Sequence, residues 1–168
     1  NHCVVRDNVF IGEGHALNSG VRIIGEGHIV EGNHLEKLGG EMFYGATSFD
    51  GDISEWNVES ATHMNAMFYG AKVFNGDVST WDVSRVRNMD HLFFNAPAFN
   101  GDISRWDVSS VINMDNMFQG AGLFARNLCG SAWVHSKATK TVMFADSSGS
   151  ISRTVCTTAT SAFSPQSK

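Results

Sequence analysis

Between residues 42 and 128 the apolar positions follow one order that is rewritten every 25 residues. The third copy opens at Leu92 and reads LFFNAPAFNGDISRWDVSSVINMDN. Copies opening at Met42 and Met67 match it at almost every apolar or turn position, and a fourth, from Met117, decays. Across one junction the apolar residues are Val86, Met89, Leu92, Phe93, Ala96, Phe99, Ile103, Trp106 and Val108. Steps of three or four, broken by a polar corner, fit neither a long amphipathic helix nor an alternating strand. They predict a coil made of a short strand, a helical or 3₁₀ piece, a tight turn and a return. The strand is expected at residues 86–89, with copies at 61–64 and 111–114, pairing as a parallel sheet about 4.8 Å apart. A unit this small leaves both faces wet unless neighbours cover them. The expected fold class is therefore an α/β repeat solenoid with a short parallel strand in each 25-residue coil.

The flanks carry different patterns. In residues 1–41, Val5, Ile11, Leu17, Ile23, Ile29 and Leu35 fall six apart, and IGEGH occurs at 11–15 and 24–28. Such spacing predicts a β-rich N-terminal cap of one or two short coils; an irregular Gly-rich lead-in is the alternative. Residues 129–146 read as a degenerate terminal repeat, with Met143-Phe144 echoing the earlier openings. In residues 147–168, 11 of 22 are Ser or Thr, which predicts a flexible tail or stalk.

Three sets of positions recur within the copies. Phe43, Phe68, Phe93 and Phe118, then Phe49, Phe74, Phe99 and Phe124, then Trp56, Trp81 and Trp106 form aromatic columns expected in the core. A carbohydrate-stacking platform is the competing reading. The corners Asp50-Gly51-Asp52, Asn75-Gly76-Asp77 and Asn100-Gly101-Asp102 suit turns, since Asn, Asp and Gly tolerate positive φ and the side chain can hold its own backbone. A file of Asp52, Asp77 and Asp102 also suggests Ca²⁺, but one carboxylate per coil supplies too few oxygens.

The third set varies from copy to copy: Glu55, Thr80 and Arg105; Ser60, Arg85 and Ser110; Thr62, Arg87 and Ile112; Ala66, His91 and Asn116; Tyr69, Phe94 and Gln119. Variation implies exposure, because packing no longer dictates the side chain. From these positions Arg85, Arg87, His91, Arg105, Ile112 and Asn116 are the candidate interaction face; neutral solvent positions are the alternative.

Charge and cysteines narrow the function. A net charge of −5 with 17% charged residues lacks the basic stripe that nucleic acid requires. No apolar run approaches the roughly 20 residues of a membrane helix. The chain opens with Asn1 and shows no signal peptide, so it reads as a fragment or a processed product. Cys129 and Cys156 either form a bridge, which would close a loop and contribute roughly 3–4 kcal/mol, or are two separate thiols. His15, His28 and His34 lie near Glu13, Glu26 and Glu31, but their gaps match no standard zinc spacing. A metal or acyltransferase-like site there is the weaker alternative, and no cofactor is implied. The repeats contain no nucleophile–base pair and no phosphate-cradling loop.

The units FNGDVSTWDVSRVRNMDHLF and FNGDISRWDVSSVINMDNMF resemble the BspA-like leucine-rich-repeat surface proteins. Repeats of that family share F-N-x-D-[IV]-S-x-W-D-V-S-x-V-x-N-M-x-x-M-F, and the likeness covers about residues 42–128. It implies a right-handed leucine-rich-repeat-like stack, displayed at the cell surface or secreted. Some members are adhesins that bind host matrix proteins, and many have no known ligand. Asn127-Leu128-Cys129 and Cys156 are similar to the terminal repeat of eukaryotic, microalga-type members, where a Cys follows the Asn-Leu pair. Trp133 departs from that pattern by arriving two residues later than the unit spacing predicts. The resulting expectation is a non-enzymatic protein-interaction or adhesion module for an unknown protein or glycan ligand, or else a structural spacer of a larger surface protein.

Overall fold

Every second backbone N–H in residues 64–70 reaches forward to the next copy of the repeat. Met64, Ala66, Phe68 and Gly70 donate to the carbonyls of Asn88, Asp90, Leu92 and Phe94 at 2.8–2.9 Å. The N–H groups between them turn back: Met67, Tyr69 and Ala71 donate to Met64, Ala66 and Phe68, three residues earlier. This alternation is repeated at Met89, His91, Phe93 and Asn95, and again at Met114, Asn116, Phe118 and Gly120. The computed structural model describes all of residues 42–156. Of residues 1–41 it describes the backbone of four strands, β1 (Val4–Arg6), β2 (Val9–Ile11), β3 (Ile29–Glu31) and β4 (His34–Glu36).

The alternation overturns the expected α/β repeat solenoid. The described chain is mostly turns and irregular backbone, with one four-residue helix, α1 (Ser131–Val134), and strands of two to four residues. Beyond the four N-terminal strands these are β5 (Asn57–Ser60), β6 (Asn127–Leu128) and β7 (Ser150–Ile151). The parallel strand expected in each coil shrinks to single bridged residues, His63 to Asn88, Asn88 to Asn113 and Asn113 to Thr139. The helical piece expected within residues 42–128 is a series of turns. The cause is local. Ala66, His91 and Asn116 adopt φ of 53–57°, and Gly45, Gly70, Asn95 and Gly120 adopt φ of 50–73°. Two left-handed residues per unit interrupt any extended or helical run before it can propagate.

What holds consecutive units together is a dry aromatic interior joined to this main-chain ladder. Phe43, Phe68, Phe93 and Phe118 stack at 5.1–5.7 Å, and Phe49, Phe74, Phe99 and Phe124 at 5.8–6.1 Å. Within a unit the two columns touch, as Phe93 and Phe99 do at 3.7 Å. All eight rings are buried, so their faces are spent on one another and form no sugar platform. The tryptophans are buried too. Trp81 and Trp106 donate their indole N–H to the carbonyls of Ile53 and Val78, each 28 residues back, at 3.1 and 2.9 Å.

Trp133 does the same to Ile103 at 3.0 Å across 30 residues. The two extra residues are taken up by α1, which carries Trp133 on its inner side and leaves the tryptophan column in place. The last unit is also one residue longer, since Asn116 donates to Thr141 and Phe118 to Met143.

Polar corners tie the units as well, by a route the turn chemistry did not predict. Asn75 and Asn100 are not in the left-handed region, and neither are Gly76 and Gly101. The side-chain oxygens of Asp50, Asn75 and Asn100 instead accept the backbone N–H of Asn75, Asn100 and Ala125 in the following unit, at 2.8–3.2 Å. The glycines are required by space, because a Cβ at Gly76 would lie 2.8 Å from the Phe74 ring.

At the N-terminal side β1 pairs with β3 and β2 with β4, both in parallel and both offset by 25 residues, Val4 opposite Ile29 and Val9 opposite His34. β4 continues onto β5. The strand register thus steps by the repeat length, although the apolar residues recur every six. His15 and His28, with Glu13 and Glu26, lie outside the described residues, as do the side chains of His34 and Glu31. The far end differs from the flexible tail expected from Ser147. β7 pairs in parallel with β6, and Cys156 is joined to Cys129 as a disulfide with a Cα–Cα distance of 5.1 Å. The remainder of the Ser/Thr-rich tail, residues 157–168, lies outside the described residues.

Candidate interaction face

The backbone ladder sets four outward columns side by side. In the first, Arg87 and Ile112 occupy consecutive units, with Arg87 donating its N–H to Thr62 and Ile112 its own to Arg87, at 2.8 and 2.9 Å. Arg85 and Arg87 are exposed on either side of buried Val86, and Ile112 is 65% exposed. The second column is polar. Asn88 and Asn113 turn their side-chain oxygens onto the N–H groups of Asp90 and Asp115 at 3.1 and 2.9 Å, and Thr139 adds a hydroxyl donor to Asn113.

The third column contains His91 and Asn116. Both are half-buried rather than freely exposed, and both sit in the left-handed region. Copy-to-copy variation there is confined to residues that this backbone admits, a constraint invisible in the sequence. His91 lies with Nδ1 3.1 Å from the Asp90 carboxylate and its ring 5.2 Å from that of Phe94.

Tyr44, Tyr69 and Phe94 make the fourth column, stacked at 4.5 and 4.7 Å. These rings are half-buried. Burial, and then the neighbouring Tyr44, pushes the Tyr69 phenol up. Tyr69 and Phe94 stand among the varied positions of the sequence, but their continuity with Tyr44 was missed. The signal was there, in the aromatic residue that follows the Met-Phe or Leu-Phe pair in three copies.

Arg105 does not join this face. It lies on the corner before Trp106, lining a separate depression with Ser104, Asp107, Gly130 and the Cys129–Cys156 disulfide. Ile112 borders a second cleft with Ser109, Ser131, His135 and Lys137. The structure therefore brings Arg85, Arg87 and Ile112 onto one run of units, places His91 and Asn116 on the neighbouring left-handed column, and sets Arg105 apart.

The carboxylate file at the corners is explained by local bonding. Asp52, Asp77 and Asp102 accept the N–H of Ser54, Ser79 and Ser104 at 2.9–3.0 Å. These backbone bonds, followed by the serine hydroxyls, hold all three carboxyls below the usual value, while Asp52 and Asp102 push Asp77 slightly the other way. A carboxyl whose folded pKa lies below its unfolded pKa stabilises the fold above the unfolded value of about 4. That contribution is lost as pH falls through the folded pKa. Thermal unfolding should thus be insensitive to these groups from about pH 5 to 7 and weaken below about pH 4. The triple change Asp52→Asn, Asp77→Asn and Asp102→Asn keeps an acceptor in each turn and should flatten that decline. An unchanged acid limb in the triple variant would show that other carboxylates set it. Among the described residues no three His, Cys, Asp or Glu side chains come together as a metal cluster.

The model of a family described as "Mycoplasma protein of unknown function, DUF285" matches residues 39–154. No curated protein and no solved structure matches the chain. Among the described residues no helix is long and apolar enough to cross a membrane.

Proposed function

We propose, for a chain that belongs to the DUF285 family, a non-enzymatic role as a surface-displayed or secreted module that binds another macromolecule through the Arg85–Arg87–Ile112 run and the adjoining His91 column. The observation that carries this reading is the division of labour within each unit. The repeated residues are consumed by the interior and the ladder, while the varied Arg85, Arg87 and Ile112 lie outward on one run of units with His91 and Asn116 on a neighbouring column, Arg105 standing apart. Exposed arginines and half-buried aromatic rings are side-chain types enriched where proteins meet. A disulfide fits an oxidising compartment. The resemblance of the repeats to BspA-like surface proteins points to the same setting, and by that analogy to an extracellular matrix protein as ligand.

The test is solid-phase binding of the intact chain to purified collagen, fibronectin and laminin, with the variant Arg85→Glu, Arg87→Glu and His91→Ala beside it. Saturable binding that weakens at least about tenfold in the variant, equivalent to about 1.4 kcal/mol, supports the reading, provided both proteins share one melting temperature. Binding unaffected by the three changes removes this face from the interaction. Absence of saturable binding to all three favours a structural spacer, a reading that the unbroken main-chain ladder from Phe43 to Ala145 also supports.

A further inference from the structure

The chain has two tyrosines, Tyr44 and Tyr69, and they lie against each other. Their rings stand 4.5 Å apart between centroids and 11° from parallel, and both are half-buried. The main chain fixes the pairing. Phe43 and Gly45, on either side of Tyr44, donate their N–H groups to the carbonyls of Met67 and Tyr69 at 2.8 and 2.6 Å. In the following unit the column continues with Phe94, which stacks on Tyr69 at 4.7 Å and carries no phenol. The two phenols of the chain are therefore held together, one repeat apart in sequence.

These two side chains are also the accessible targets for one-electron oxidation. All seven methionines and all four tryptophans are buried, none more than 4% exposed. Cys129 and Cys156 are taken up by the disulfide, and Cys3 lies outside the described residues. Exposure governs which oxidisable side chain reacts. Among the described residues, an oxidant arriving from solvent thus meets the tyrosine pair before any sulfur or indole.

We propose that Tyr44 and Tyr69 are a cross-linking site, joined as dityrosine by a haem-peroxidase-type oxidant with hydrogen peroxide as the terminal electron acceptor. Each phenol loses one electron and its hydroxyl proton. The two radicals pair to form one bond between ring carbons ortho to the oxygens, the Cε atoms. Each bonded Cε then gives up its proton, the phenol oxygen takes one back, and the rings regain aromaticity. The pair loses two hydrogens in all, and one peroxide becomes two waters. The fold contributes proximity, which turns a chance encounter of radicals into a step within one molecule. The centroids already lie about as far apart as in two directly joined rings, so coupling asks the rings to tilt but not to travel. The link would tie the first two copies of the repeat covalently, in the oxidising setting that the disulfide also fits. Unlike the disulfide, it would withstand a thiol reductant. The proposal does not depend on the binding role of the Arg85–Arg87 strip.

The test is oxidation of the intact chain at low micromolar concentration, after thiols are blocked with N-ethylmaleimide. Haem peroxidase with hydrogen peroxide is one oxidant, and a photo-oxidised ruthenium complex, small enough to reach half-buried phenols, is the other. N-acetyltyrosine amide in a parallel sample shows that each oxidant is active. The expected product is a monomer two hydrogen atoms lighter, with blue dityrosine fluorescence. Its digest should carry the Tyr44 and Tyr69 peptides as one species that dithiothreitol does not part. The yield should be at least about fivefold higher in the native chain than in concentrated urea, where the rings are no longer held together. Tyr44→Phe and Tyr69→Phe, each keeping a ring to stack, should abolish the monomer fluorescence. A native monomer that stays unlinked with both oxidants while the amide couples overturns the proposal. So does linkage only between separate chains, or a yield as high in urea as in buffer.

Discussion

Replacing Trp106 by alanine should lower the free energy of unfolding by about 3–5 kcal/mol. The side chain is 2% exposed and lies in the middle of the tryptophan column. Its removal leaves a cavity between two units and strips the Val78 carbonyl of its indole donor. Trp106→Phe separates these effects. It restores most of the apolar volume and removes one of two donors to the Val78 carbonyl, which keeps the Trp81 N–H at 3.2 Å, so its cost should fall to about 1–2 kcal/mol. Urea denaturation of the three proteins gives the comparison directly. The reason to expect a large effect is the scarcity of regular structure. Among the described residues no sheet of ordinary length spans the units, so beyond the main-chain ladder and the corner bonds of Asp50, Asn75 and Asn100 it is the aromatic interior that joins them. A cost for Trp106→Ala below about 1.5 kcal/mol would mean that the interior repacks freely, contrary to the close ring contacts.

The second large effect should come from the disulfide. Cys129→Ser with Cys156→Ser opens a loop spanning 27 residues, for which chain entropy gives about 3–4 kcal/mol. The loss should begin at the end of the stack. Cys156 donates its N–H to the Cys129 carbonyl at 2.9 Å, and Ser150 and Ser152 donate to Arg126 and Leu128 at 3.0 Å each. Together with the bond, these are what hold the last strand pair in place. Trypsin cleavage at exposed Arg153 should accelerate in the double variant, and the thermal midpoint should drop. If Arg153 is cut at the native rate and the midpoint holds, the strand pair is self-sufficient and the bridge is ornamental to stability.

The interior was legible before the structure, and the backbone was not. Phe43, Phe68, Phe93, Phe118 and the tryptophans recur because each must fill the same space in every unit, so their periodicity is a direct imprint of packing. Secondary structure left no such imprint. Steps of three or four apolar residues suit a turn-built backbone as well as they suit a strand followed by a helical piece. What decides between them is the φ of Ala66, His91 and Asn116. Alanine carries no left-handed signature in a sequence, and the mild left-handed leaning of histidine and asparagine does not stand out at a position shared by three unlike residues. The corners were misread for a related reason. Asn-Gly is the usual mark of a positive-φ turn, yet here the asparagine reaches across to the next unit and the glycine makes room for a ring.

The candidate face was legible in part. Variation found exposed Arg85, Arg87 and Ile112, but it could not reveal that Arg105 belongs to another corner. Nor could it reveal that His91 and Asn116 are restrained by their own main chain. The ring column of Tyr44, Tyr69 and Phe94 escaped notice because it mixes two residue types and ends at Gln119.

The helix that carries Trp133 shows how this architecture tolerates uneven lengths. Two surplus residues curl into a single helical turn at Ser131–Val134, and the indole still reaches the Ile103 carbonyl. Duplicated segments of such a gene need not be cut to one size. An imprecise crossover near that corner would still yield a copy that seats its indole on the one before it, so the array has room to lengthen by unequal recombination without each event having to preserve the period.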